Sequence, residues 1–174
     1  MTAQSHRIRR LHALGEAEVH ALARVLQDCV AGGASVSFMA PLTLERARAF
    51  WREIARGVES GERALLVAED AEGVCGTVQL LLALPENQPH RADLAKMLVH
   101  RRARRTGVGA ALLGAAEQLA RDCDRTLLVL DAVSGGDAAR LYERHGWIKG
   151  GDIPDYALFP EGGLCSTTVY YRKL

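Results

Sequence analysis

One segment constrains this chain more than any other: Met97-Leu98-Val99-His100-Arg101-Arg102-Ala103-Arg104-Arg105-Thr106-Gly107-Val108-Gly109-Ala110. An apolar, strand-like stretch ends and an arginine-rich loop follows. Two alternate glycines then open a run of helical spacing, with Val108, Leu112, Ala115/Ala116 and Leu119 on one face. Glycines let the backbone approach a ligand with no Cβ in the way, and the first N–H groups of a helix have no intrahelical acceptor. Those donors and the positive end of the helix dipole suit a phosphate or pyrophosphate. Arg101, Arg102, Arg104 and Arg105 add charge at the same place, as phosphate contacts or as a solvated face.

Three phosphate-binding patterns compete for this segment. A P-loop needs a Lys directly after its last glycine, and none follows Gly109. A dinucleotide fingerprint needs a third small residue where Leu112 stands, and it follows the first strand of a fold, whereas this segment comes late. The third pattern, Arg/Gln-x-x-Gly-x-Gly/Ala, is met by Arg104, Gly107 and Gly109.

The rest of the chain supplies an α/β sandwich around a mixed sheet. A short strand is expected over residues 7–11 and a helix over 16–30, stopped by Gly32-Gly33. Thr43 is placed to cap a second helix running to Val58. Residues 64–68 and 74–84 read as a hairpin, 93–99 as a further strand, and 126–131 as a strand buried on both faces. A helix is expected over 137–145, a loop-rich tail over 150–163, and a closing strand over 167–171.

At 174 residues and 18.9 kDa the chain has the length of one domain, 1–174, and enough core to need neither disulfide nor metal. Lys+Arg 22 against Asp+Glu 21 argues against a general nucleic-acid binder. The start, Met1 to Arg7, has no apolar region behind it, and no run is long enough to span a bilayer, so neither a signal peptide nor a membrane segment is expected. Cys29, Cys75, Cys123 and Cys165 are widely scattered, as small hydrophobes of a reducing cytoplasm would be. The six histidines form no i, i+4 pair, so no metal site is expected.

The Arg104/Gly107/Gly109 pattern resembles the coenzyme A pyrophosphate loop of the GNAT superfamily of N-acetyltransferases. A second segment, Ala138-Ala139-Arg140-Leu141-Tyr142-Glu143-Arg144-His145-Gly146-Trp147, is similar to that family's stretch in which a Tyr lies near the coenzyme sulfur. The resemblance covers residues 64–147 well and implies a GNAT-type mixed central sheet flanked by helices, the acyl-CoA N-acyltransferase fold. It implies acetyl-CoA as co-substrate, held by Met97, Leu98, Val99, Arg104, Arg105, Thr106, Gly107, Val108, Gly109, Ala110, Gly135 and Tyr142. Gly135 stands where other members often carry Asn, so a contact there is through backbone. Residues 32–39, 91–97 and 131–135 resemble the tabtoxin-resistance type, which acetylates a small β-lactam amino acid; Asp93 stands where that type usually has Glu.

The resemblance implies direct transfer to a primary amine. The amine must lose a proton, for which Asp93 or Asp131 would serve as base. The Val99 N–H would stabilise an oxyanion, and Tyr142 would protonate the leaving thiolate. Each has a bland alternative: Tyr142 as a packing residue, Asp131 as the cap of the turn at Ser134-Gly135. Phe38, Trp51 and Tyr156 read as core packing before they read as an acceptor pocket. The expected acceptor is a small amine, an amino acid or antibiotic-like molecule, with no nucleic acid or membrane partner; a homodimer is left open. The alternatives are a non-catalytic acyl-CoA-binding regulatory domain, a protein N-acetyltransferase, and a nucleic-acid module using the arginines of 101–105.

Overall fold

The computed structural model describes residues 6–174; residues 1–5, read above for a signal peptide, lie outside it. The elements run β1 (Arg7–Leu11), α1 (Glu16–Ala31), α2 (Leu44–Glu59), β2 (Arg63–Asp70), β3 (Gly73–Leu81), β4 (Arg91–Val99), a 3₁₀ turn (Arg101–Ala103), α3 (Val108–Asp122), β5 (Leu127–Val133), α4 (Asp137–Arg144), β6 (Ile148–Leu158) and β7 (Leu164–Lys173). The seven strands form one sheet in the order β1-β2-β3-β4-β5-β7-β6. Every neighbouring pair is antiparallel except β4–β5. This is the mixed sheet expected from the sequence. No described helix is long and apolar enough to cross a membrane.

Strand alternation divides the apolar residues between two layers. Leu65 and Val67 of β2 face α1 and α2, burying Leu22, Leu26, Trp51 and Ile54, while Ala64, Leu66 and Ala68 face α3 with Leu112, Leu113 and Ala116. Trp51 is fully buried in the first layer, as packing predicts. Thr43 caps α2: its Oγ1 accepts from the Arg46 N–H at 3.3 Å.

The segment expected to be loop-rich, 150–163, is instead mostly strand β6, paired to β7. Nearly every β6 residue is exposed, so no apolar alternation marks it. As an edge strand it also tolerates Pro154 and the register breaks at Lys149/Gly151 and Ile153/Ala157. The expected hairpin strand 74–84 closes at Leu81, and the 93–99 strand begins two residues earlier, at Arg91.

Candidate active site

The centre of the fold is a gap between two neighbouring strands. β4 and β5 pair in register only over Arg91↔Leu127, Ala92↔Leu128 and Asp93↔Val129. Past that point β4 carries an irregularity, shown by the register shift against β3 and by Lys96, whose φ is +50°. The irregularity reverses which residues face which layer: Ala92 and Leu94 belong to the α3 layer before it, whereas after it Leu98 belongs to the α1/α2 layer and Met97 and Val99 pack toward α3. Beyond Asp93 the edge of β4 that faces β5 has no strand partner among the described residues. The His100 N–H donates to the Cys75 carbonyl on β3 at 2.8 Å, so alternation turns the Val99 N–H to that open edge.

Directly after this edge comes the N-terminus of α3. Gly107 is its N-cap with φ +92°, a left-handed conformation that a glycine adopts without steric cost. No side chain among the described residues caps the helix; the Ala111 N–H makes the first bond back to Gly107. The N–H groups of Val108, Gly109 and Ala110 thus have no intrahelical acceptor. The first turns of α1, α2 and α4 hold Glu16 and Glu18, Glu45 and Asp137, while α3 has no acid in its first turn. A Cβ on Gly109 would meet Leu141 at 3.2 Å, so this glycine also admits α4 against α3.

The four arginines have separate roles. Arg101 ion-pairs with Asp28 at the end of α1. Arg102 forks onto both oxygens of the buried Asp70 carboxylate at 3.1 Å and donates to the Val74 carbonyl, holding that carboxyl below its usual range. Arg104 Nε donates to the Val99 carbonyl at 3.1 Å, fixing the end of β4. Arg105 is exposed, has φ +61°, and acts on Asp137 only at longer range, leaving its guanidinium available to a ligand. Thr106 donates its hydroxyl to the Ala103 carbonyl at 2.7 Å, and Gly135 (φ +70°) accepts from Arg140 through its carbonyl at 2.7 Å. The free amides, the absence of acid and a guanidinium with no ion-pair partner among the described residues together fit the pyrophosphate of a coenzyme.

Tyr142 projects from α4 into the α3 layer, against Trp147 and Tyr170 at centroid distances of 5.6 and 6.0 Å. Burial, and secondarily the charge of Asp131, push its phenol well above the ordinary value, so it stays protonated. Asp93 pairs with Val129, and residues 129 and 131 share a face, so both carboxylates stand on one face of the sheet. Their partners differ. Asp93 is ion-paired with Arg91, itself held by Gln88, beside the paired end of β4 and β5. Asp131 lies at the open end of β5, exposed, and among the described residues its carboxylate accepts only the Thr167 hydroxyl, at 3.0 Å.

Asp131 also lines a cavity of about 320 Å³ together with Ser35, Ser37, Phe38, Tyr156 and Thr167. Its walls are the α1–α2 loop and the β6–β7 hairpin, tied by Ser35 Oγ to the Leu158 carbonyl (2.8 Å) and by the Ala40 N–H to the Pro160 carbonyl (2.8 Å). Phe38 and Tyr156 therefore line a pocket, against their reading as core residues. Sequence reasoning missed Lys96, Ser37 and Thr167. The signal for Lys96 was present: a lysine inside the otherwise apolar run Leu94-Ala95-Lys96-Met97-Leu98. Among the described residues no group of three or more His, Cys, Asp or Glu could hold a metal.

Solved structures share this architecture over nearly the whole chain. A ribosomal-protein-alanine N-acetyltransferase from Brucella melitensis is similar at 24% identity and TM-score 0.79, over 97% of this chain and 99% of that one. The yncA protein of Salmonella typhimurium, solved with its cofactor acetyl-CoA, is similar at 19% identity and TM-score 0.77, over 97% and 94%. A GCN5-related N-acetyltransferase from Kribbella flavida is similar at 25% identity and TM-score 0.77, over 97% and 98%. The family model described as acetyltransferase (GNAT) domain matches residues 61–149, about half of the chain and the part that holds β4, α3, β5 and α4. The chain belongs to the GNAT family of acetyl-CoA-dependent acetyltransferases.

Proposed function

We propose that this protein transfers an acetyl group from acetyl-CoA to the primary amine of a small molecule, an amino acid or an antibiotic-like amine, in the manner of the tabtoxin-resistance type. The observation that carries the reading is Asp131, a carboxylate with one hydrogen-bond donor on it, lining a cavity beside the gap between β4 and β5. A carboxylate there attracts a protonated amine and takes its proton. The two ties that join the α1–α2 loop to the hairpin favour a small acceptor over a polypeptide tail, which needs an open groove.

When bound, acetyl-CoA supplies an activated acetyl thioester. The amides of Val108, Gly109 and Ala110 and the Arg105 guanidinium hold its pyrophosphate, with the open edge of β4 from Met97 to Val99 beside its arm. Arg104 works as a positioning residue, since its guanidinium secures the Val99 carbonyl. The Val99 N–H, turned to the open edge of β4, would stabilise negative charge on a carbonyl oxygen. Tyr142, kept protonated by burial, holds at Oη the proton that a departing thiolate needs. Asp131 is the preferred base, because Asp93 already neutralises Arg91. A nucleic-acid reading is disfavoured by the internal partners of Arg101, Arg102 and Arg104. The four free cysteines suit a reducing, cytoplasmic setting.

The test is an acetylation screen over amino acids, polyamines, amine antibiotics and a histone-like peptide, with acetyl-CoA binding followed in parallel by calorimetry. Turnover of a small amine is expected. Binding of acetyl-CoA with no acetyl transfer would favour the regulatory-domain alternative, and transfer confined to the peptide would favour a protein acetyltransferase.

A further inference from the structure

The β4 irregularity carries a lysine. Lys96 has φ +50°, a conformation that residues with a Cβ seldom adopt, and its ammonium donates to Ser37 Oγ at 3.1 Å. Ser37 is itself left-handed, with φ +77°, so two uncommon backbone conformations meet across β4 and the α1–α2 loop. The ammonium also stands 5.8 Å from the Phe50 ring centroid, and Phe50 packs edge-on against Phe38 of the cavity wall at 5.2 Å. No carboxylate among the described residues lies within ion-pair distance of Lys96 Nζ. Asp131 acts on it at longer range, while burial lowers its proton affinity. Only one of its three donors has an acceptor among the described residues.

This arrangement is costly for a site that takes a plain amine. A cation next to the cavity repels an incoming ammonium, and half-burying it without a counter-ion is unfavourable in itself. Both costs are offset if the acceptor brings an anion. Two neighbours of Lys96, Ser37 and Asp131, line the cavity, so the site offers one negative and one positive pole. We infer that Lys96 is the specificity-determining residue of the acceptor site: it anchors the carboxylate of a zwitterionic acceptor whose amine is turned to Asp131. This rests on the acetyl-transfer reading and narrows its acceptor to amines that carry a nearby carboxylate, excluding polyamines.

Matched pairs of acceptors, amino acids and their carboxamides, test it on the wild type, Lys96→Met and Lys96→Arg. The wild type should prefer the acid over the amide by about 10–100-fold in kcat/KM, the range of a charge-assisted hydrogen bond. Lys96→Met should bring that ratio to about one by raising KM for the acid. The KM for the amide should hold or fall, because the cation that repels its ammonium is gone; the Kd for acetyl-CoA should not move, and Lys96→Arg should restore part of the preference. A retained ratio in Lys96→Met overturns the inference, as does a fall in kcat at fixed KM, which would make Lys96 a base. Efficient acetylation of polyamines or amides by the wild type also overturns it and leaves acetyl transfer standing. If no amine is acetylated, the acetyl-transfer reading fails, and thermal shifts still decide the role of Lys96. Amino acids that raise the Tm of the wild type but not of Lys96→Met or Lys96→Gln support the anchor, and equal shifts or none overturn it.

Discussion

The proposed coenzyme half of the cleft and the proposed acceptor half are built from different materials. The coenzyme half is mostly main chain: the open edge of β4 and the uncapped amides of α3, joined through one short loop. The acceptor half is mostly side chain: Asp131 from β5, Lys96 from β4, Ser37 and Phe38 from the α1–α2 loop, and Thr167 from β7. Main-chain donors are indifferent to side-chain identity, so a half made of them suits a constant ligand. A half made of side chains from four separate segments can be rewritten without disturbing the first. If this contrast is right, perturbations of one half should leave the other unmoved.

The largest expected effect is on the acceptor side. Asp131→Asn keeps the shape and the hydrogen bond from Thr167 but cannot take a proton, so kcat/KM should fall by about 10³, within the span of general-base losses. Acetyl-CoA affinity should stay the same. A variant that keeps the parent's rate makes Asp131 a mere ligand of Thr167 and moves the base elsewhere.

Next comes a change that separates stability from binding. Arg102→Met strands the Asp70 carboxylate, only 2% exposed, and should cost about 2–4 kcal/mol by denaturant unfolding with no loss of acetyl-CoA affinity. The folded-state pKa of Asp70 is depressed, so its contribution is present above the unfolded pKa and is lost as pH falls through the folded one. The wild type should therefore lose stability more steeply than Arg102→Met as pH falls below about 4. A weakened affinity for acetyl-CoA in a folded Arg102→Met protein would return this arginine to the coenzyme half.

A smaller effect belongs to the junction of the two halves. Tyr142→Phe removes one hydroxyl that has no hydrogen-bond partner among the described residues, so stability should hold while kcat falls by about 10². Pre-steady-state kinetics must show that chemistry limits the rate; unchanged turnover under that condition contradicts the proton-donor role.

The same contrast explains what could be read from the sequence. The left-handed cap at Gly107 and the acid-free first turn of α3 are local features, so the backbone geometry of the proposed coenzyme loop was legible. The apolar runs of β2, β4 and β5 were legible for the same reason. The arginine run was not, because its charge is neutralised by Asp28 and Asp70, distant in sequence. The edge strand β6 escaped because it buries almost nothing. Lys96, Ser37 and Thr167 come together only when α1–α2, β4 and β7 meet, which no window of sequence displays.

Calorimetric titration of acetyl-CoA into the wild type, Thr106→Glu and Asp131→Asn tests the division most directly. Thr106 is exposed and precedes the α3 N-terminus, where an added carboxylate favours the helix dipole but repels a pyrophosphate. Thr106→Glu should thus keep its Tm and bind acetyl-CoA about tenfold more weakly, a change of roughly 1.4 kcal/mol, while Asp131→Asn binds it as the wild type does. Equal affinity in Thr106→Glu, or a loss of affinity in Asp131→Asn, would contradict a coenzyme site formed at the α3 N-terminus and independent of the acceptor side.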